Sequence, residues 1–185
     1  FQDQIALGIV AWVGSSRAVA EVGALGRLAQ IFLFLGAANP VLVAPLVARS
    51  GKAALPRTYA GVGGVVALVG GLLSLSGWLF PAPYLWLLGP RYAGLGNAVG
   101  WAVTAGSLAL VAGTLFTMNA ARRWVFLHAT LAGIAATLAT QVALAMSLDM
   151  STAVGAAKFM AGTSASLFVG VAMAAWTGFR RDAEG

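Results

Sequence analysis

Cysteine is absent from this sequence and charged residues are scarce. Without cysteine the chain has no disulfide framework, no thiolate metal site and no cysteine nucleophile. Charged residues make up 9% of the chain and hydrophobic residues 60%, whereas a water-soluble domain carries about 25% charged residues. Such a chain has too little polar surface to cover a globule in water. A lipid bilayer resolves this deficit, because apolar side chains can then face outward as well as inward.

Acidic residues and histidine are too few for chemistry inside a membrane. The chain has five acidic residues and one histidine. Asp182 and Glu184 lie in the tail, and Asp149 lies between two apolar runs. A glycosyltransferase or polymerase in the membrane normally needs several carboxylates, histidines or a metal site close together. We therefore predict no enzymatic activity, no catalytic residue, no metal and no cofactor.

Long runs without a charged residue organise the chain. Five of them are 21 to 33 residues long, namely 28–48, 58–90, 92–121, 124–148 and 159–179. A helix needs about 20 residues to cross about 30 Å of hydrocarbon, so each run can span the bilayer once. A shorter run, 4–16, begins at the first residues, and we interpret it as a spanning helix whose beginning is missing.

These runs predict an all-α integral membrane protein with about six transmembrane helices, the first of them truncated. The whole chain, 1–185, is expected to form a single membrane domain. The approximate spans are 1–14, 23–48, 58–80, 94–118, 124–148 and 153–179. Pro40 and Pro45 fall inside one span, where each removes a helical hydrogen bond and is expected to kink the axis.

Basic residues occur in alternate connections between the spans. Seven lie on one side: Arg49, Lys52, Arg57, Arg122, Arg123, Arg180 and Arg181. The opposite side has Arg91 and, at the edge of the first connection, Arg17. This asymmetry follows the positive-inside rule and predicts a cytoplasmic C-terminus. Because the net charge of +6 is explained by orientation, we expect no nucleic-acid partner.

Four short segments carry a family resemblance. Residues 86–93 read WLLGPRYA, 19–28 read VAEVGALGRL after the GSS of 14–16, 42–45 read LVAP, and 118–124 read MNAARRW. In order and spacing they resemble the C-terminal half, helices seven to twelve, of polysaccharide flippases. These are the Wzx-type exporters of O-antigen, teichoic acid and related glycans in the multidrug/oligosaccharidyl-lipid/polysaccharide exporter superfamily.

The resemblance implies one lobe of a two-lobe transporter in the bacterial cytoplasmic (inner) membrane. Such a protein moves an undecaprenyl-diphosphate-linked oligosaccharide between leaflets by alternating access. The implied partners are the lipid-linked oligosaccharide, membrane lipids and an N-terminal lobe of the same protein, which this sequence lacks. The alternatives are a multidrug or cation-coupled exporter of the same superfamily and a non-transporting membrane assembly subunit.

Asp3 and Arg27 are the first candidate substrate- or ion-binding residues. If the first helix ends at Gly14, Asp3 lies 11 residues inward, about 16 Å deep. An intramembrane carboxylate normally faces a cavity or a partner, so Asp3 is a candidate sensor of protons or cations. The alternative is that Asp3 lies near the cytoplasmic end, because the upstream sequence that would fix its depth is missing.

Arg27 lies at a similar depth on the neighbouring helix if the hairpin turns at 14–16. Gln30, three residues further on, shares its face. A buried Arg27 is expected to bind the lipid diphosphate through bidentate hydrogen bonds, or to neutralise Asp3. The alternative is that 28–48 spans alone and Arg27 reaches the outer headgroups. The resemblance favours the buried position, because the family usually has a basic residue there.

Lys158 and Gln141 are further polar residues within the predicted spans. Lys158 lies early in the last helix and is expected to extend toward the outer interface; the alternative is a contact with phosphate or sugar. Gln141 lies in mid-span, where it either hydrogen-bonds a neighbouring helix or lines a cavity.

Overall fold

The computed structural model describes residues 16–184, which form helices and short connections and include no strand. The helices are α1 (Ser16–Gly36), α2 (Ala44–Arg49), α3 (Leu55–Leu79), α4 (Pro81–Leu88), α5 (Gly96–Ala121), α6 (Leu127–Ser147) and α7 (Ala153–Glu184). A π-helical turn, Asn39–Val43, precedes α2, and a 3-10 helix, Pro90–Leu95, precedes α5. The helix predicted over 1–14 lies outside the described residues.

Five stretches within 16–184 are long and apolar enough to cross a membrane. They are Ala20–Arg49, Leu55–Leu79, Pro90–Ala121, Leu127–Ser147 and Ala153–Ala183. The prediction of an all-α membrane protein is therefore confirmed, and the chain is a multi-pass protein. Helix α1 begins at Ser16, before the predicted span that starts at 23, and α7 ends at Glu184, after the predicted span that ends at 179. The spans were drawn from uncharged runs, which mark the hydrocarbon, and the helices continue past it.

Proline accounts for the break within Ala20–Arg49 and for the start of a new helix after Leu55–Leu79. Pro40 lies at the start of the π-helical turn, and Pro45 lies in the first turn of α2, where its missing N–H is not needed. Near the far end of α3 the chain forms the separate helix α4, which begins at Pro81 and which the sequence did not predict. Gly89 then turns the chain with φ = 101°, a conformation that favours glycine.

Helix α5 forms the centre of the bundle. It packs against α1, α3 and α7, and α6 packs mainly against α7. Small residues allow these close approaches: a side chain at Gly77 would meet Val103, and one at Gly100 would meet Trp78. At the α6–α7 crossing the backbones of Gly133 and Gly170 face each other. The interior of the bundle is thus built on backbone proximity, as is usual between membrane helices.

The alternating direction of the helices brings the seven basic residues of the connections and tail to one end of the bundle, which we call the basic end. Arg122, which follows α5, contacts two other parts of the chain there. Its Nη2 lies 3.1 Å from Asp182 Oδ2 of α7, and its Nη1 donates to the carbonyl oxygen of Ser50, which follows α2, at 3.4 Å. The first residues of α5 and α7 lie at the opposite end.

A buried polar cluster fastens the helices just above the basic end. The Tyr59 hydroxyl of α3 donates to Asn119 Oδ1 of α5 at 2.9 Å, and Asn119 Nδ2 donates to the Val171 carbonyl oxygen of α7 at 2.9 Å. The rings of Tyr59, Trp124 and Phe179 pack together with centroids 4.8 to 5.5 Å apart. One asparagine therefore holds three helices in register.

Candidate functional site

Helix α1 has one buried face and one exposed face. Val22, Leu25, Leu28 and Phe32 are buried against the bundle. The exposed side chains follow the complementary spacing, and they include Ala20, Arg27, Gln30 and Phe34. Arg27 and Gln30 thus share one exposed face, as their separation of three residues predicts. The α1 polar face, defined by Arg27 and Gln30, is the candidate site on this helix.

Two contacts with α5 fix the level of Arg27 relative to that helix. The Phe32 ring occupies the space beside Gly106, and the Thr114 hydroxyl donates to Asn39 Oδ1 at 3.2 Å. Counting 1.5 Å per residue along both helices puts Arg27 about 7–9 Å below the level of Gly96. The depth of Arg27 below a turn at 14–16 stays a prediction, because residues 14 and 15 lie outside the described part of the chain.

Arg27 has no hydrogen bond or ion pair to any side chain or carbonyl in the part of the chain that the structure describes. Its side chain is exposed, so the helices of 16–184 do not bury it. Asp3, the predicted partner, lies outside the described residues, and an Asp3–Arg27 pair stays a prediction. Whatever neutralises this guanidinium must come from water, a headgroup, a ligand or another segment of protein.

Lys158 lies at the opposite end of the bundle from the basic end, early in α7. Its Nζ is 5.7 Å from the centroid of the Trp101 ring of α5, within the range of a cation–π contact. Trp101 packs edge-on against Trp78 with centroids 5.3 Å apart, and Trp78 Nε1 donates to the Thr104 hydroxyl at 3.1 Å. The partial burial of Lys158 is therefore offset by an aromatic partner that the sequence analysis did not identify.

The structure does not combine all the predicted residues into one site. Lys158 and Arg27 lie at similar levels along α5. Lys158 contacts Trp101, about 8 Å from Gly96, and Arg27 lies about 7–9 Å from the level of Gly96. Their surroundings differ, because Arg27 is on the exposed face of α1 and Lys158 is against Trp101. Among residues 20–183 no hydrogen bond or ion pair joins Lys158 to Arg27 or Gln30.

Gln141 lines a groove of about 500 Å³ between α5, α6 and α7. Its side chain is 8% exposed, and its Nε2 has no hydrogen-bond partner. The side chain thus lines a groove, and both alternatives for Gln141, a hydrogen bond to a neighbouring helix or a place in the transport cavity, stay predictions. A second groove, of about 370 Å³, lies between α1, α5 and α7 and includes Phe32, Asn39 and Ser164. Both grooves depend on how the helices pack, and the hydrophobic periodicity of the sequence does not predict that packing.

The connection between α6 and α7 is a hydrogen-bonded turn. Asp149 Oδ1 accepts hydrogen bonds from the Ser151 hydroxyl at 2.5 Å and the Ser151 backbone N–H at 3.0 Å, and these lower the pKa of the Asp149 carboxyl. The Thr152 hydroxyl accepts from the Gly155 N–H at 3.0 Å, which caps the start of α7.

Metal binding has no structural support in the described residues, which contain no group of three His, Cys, Asp or Glu side chains able to hold an ion. Comparison of the chain with protein-family models, curated proteins and solved structures gave no match. The helices and the polar residues between them are therefore the features of this chain that bear on its function.

Proposed function

We propose that this chain is one lobe of a membrane transporter that moves an anionic, lipid-linked oligosaccharide across the bacterial cytoplasmic membrane by alternating access. The multi-pass helical architecture is the framework that such a lobe requires. The flippase resemblance of the sequence supplies the cargo class, an undecaprenyl-diphosphate-linked oligosaccharide. A second lobe, N-terminal in the same protein, would face this one across the transport cavity.

The exposed α1 polar face is the observation that carries this proposal. A guanidinium on a transmembrane surface is costly against lipid tails, so such a residue normally faces a cavity, a partner or a ligand. Arg27 and Gln30 supply several hydrogen-bond donors on one face, which suits a phosphate group. In a two-lobe transporter this face would line the cavity, and a basic residue there favours an anionic cargo over a cationic drug.

Full-length protein in proteoliposomes would test this proposal through translocation of a lipid-linked oligosaccharide. We expect Arg27→Ala to lower the translocation rate about ten-fold or more, which corresponds to the loss of a charge-assisted hydrogen bond. Arg27→Lys should retain part of the rate because it keeps the charge. Arg57→Ala, an exposed arginine at the basic end, is the matched control. Equal rates for Arg27→Ala and the wild type would refute a role in cargo binding.

A further inference from the structure

The groove between α5, α6 and α7, which we call the α6 groove, is elongated and apolar. Along α6 it runs from Ala129 to Gln141, a length of about 18 Å. Gly133, Gly170 and Ala174 line its floor, and the backbones of the two glycines are in close contact there. Ile134 and Leu138 form its outer rim and are 52% and 55% exposed. One leaflet contributes about half of the ~30 Å hydrocarbon, so the groove can hold a full lipid tail.

Aromatic residues form the mouth of the α6 groove at the basic end. Trp124, Val125 and Phe126, in the connection between α5 and α6, line this end. The Arg181 guanidinium carbon lies 4.8 Å from the centroid of the Phe126 ring. Arg181 also follows Gly170 and Ala174 on one face of α7, since separations of four and seven residues return to the same side of a helix. The groove therefore opens directly beneath a cation.

A second cation is adjacent to this mouth in the sequence. Arg123 immediately precedes the aromatic segment, is exposed, and adopts φ = 58° at the turn between α5 and α6. The Asp182 carboxylate lies 3.1 Å from Arg122, and neither Arg123 nor Arg181 forms an ion pair among the side chains that the structure describes. An apolar slot with the Arg181 guanidinium over the Phe126 ring of its mouth, and with Arg123 adjacent in sequence, is complementary to a lipid with an anionic headgroup.

We propose that the α6 groove binds an anionic phospholipid from the leaflet at the basic end. One acyl tail lies along α6 between Phe126 and Gln141, and the phosphate is held by Arg123 and Arg181. Basic pockets between transmembrane helices are a recognised setting for anionic headgroups. This site is separate from the α1 polar face and does not depend on the proposed transport function.

Native mass spectrometry of the full protein in detergent would test the site, with phosphatidylglycerol and phosphatidylethanolamine of identical acyl chains as probes. We expect the wild type to retain phosphatidylglycerol preferentially. Arg123→Gln with Arg181→Gln should reduce that preference by about five-fold for each arginine. Ile134→Trp, which fills the groove from its exposed rim, should reduce retention of both lipids.

Two matched variants separate this site from general effects. Arg57→Gln removes an equivalent charge at the basic end away from the groove, and Leu131→Trp adds the same bulk at a 56% exposed position of α6 that does not line it. Both should retain lipid as the wild type does. The proposal is overturned if Arg57→Gln lowers the preference as much as Arg181→Gln, or if Ile134→Trp and Leu131→Trp behave alike. Absence of bound lipid in the wild type, as expected if another protein segment fills the groove, overturns it too.

Discussion

Asn119 is the single residue on which the register of three helices depends most. It is 2% exposed, and its amide uses both its oxygen and its nitrogen, toward Tyr59 and Val171. Such a residue is tolerated in an apolar bundle because both polar atoms have partners. The sequence analysis singled out Asn119 only within the segment 118–124, since its hydrogen-bond partners come from α3 and α7, distant in the chain.

We expect Asn119→Ala to lower the free energy of unfolding by about 1–3 kcal/mol, because it removes two interhelical hydrogen bonds and leaves the Tyr59 hydroxyl without a partner. Tyr59→Phe should cost less, since it removes one of the two bonds. Denaturant unfolding in detergent micelles would measure both. The exposed Asn97→Ala is the control, and an Asn119→Ala loss no larger than that control would show that the amide does not fasten the helices.

Residue patterns predicted some local features of the candidate site and missed others. The shared face of Arg27 and Gln30 followed from their spacing, because both lie on one helix. The partner of Lys158 did not, because Trp101 reaches it only after α5 packs against α7. The level of Arg27 relative to α5 likewise depends on the contacts of Phe32 and Asn39 with that helix, and its depth below a turn at 14–16 stays a prediction.

At the scale of elements, uncharged runs located the membrane helices but not their packing. Lipid tails are as apolar as leucine, so hydrophobicity cannot separate a helix face that meets lipid from one that meets protein. Small residues give a better signal, since α5 is rich in glycine, alanine, serine and threonine and has the central position. They are not sufficient, however: Gly61, Gly64 and Gly71 of α3 have open space around the position of a Cβ atom.

The α6–α7 crossing allows a test of this distinction between glycines. A Cβ atom at Gly170 would lie 3.1 Å from the Gly133 Cα and 3.2 Å from the Ala129 carbonyl oxygen, and a backbone cannot yield as a flexible side chain does. Gly170→Leu should therefore push the helices apart and lower the free energy of unfolding by about 1–3 kcal/mol. Gly71→Leu, with open space at the same kind of helical position, should cost nothing. Similar losses for the two variants would contradict the crossing.

At the scale of the whole molecule, charge divides the bundle into two ends. Seven basic residues lie at the basic end, whereas Arg91 and Asp149 are the charged residues in the described connections at the other. Acidic residues do not cancel this asymmetry, because they contribute little to orientation. The proposed cytoplasmic location of the basic end and the C-terminus rests on this difference.

The absence of cysteine makes that orientation directly measurable, because any introduced thiol would be the only one in this chain. Gly94→Cys places a thiol at an exposed position of the 3-10 helix, and Ala183→Cys places one at an exposed position near the end of α7. With a membrane-impermeant maleimide on intact spheroplasts, Gly94→Cys should be labelled and Ala183→Cys should react only after permeabilisation. The reverse pattern would place seven basic residues on the outer side, against the positive-inside rule. It would also put the mouth of the α6 groove in the outer leaflet, so its anionic lipid would have to come from there.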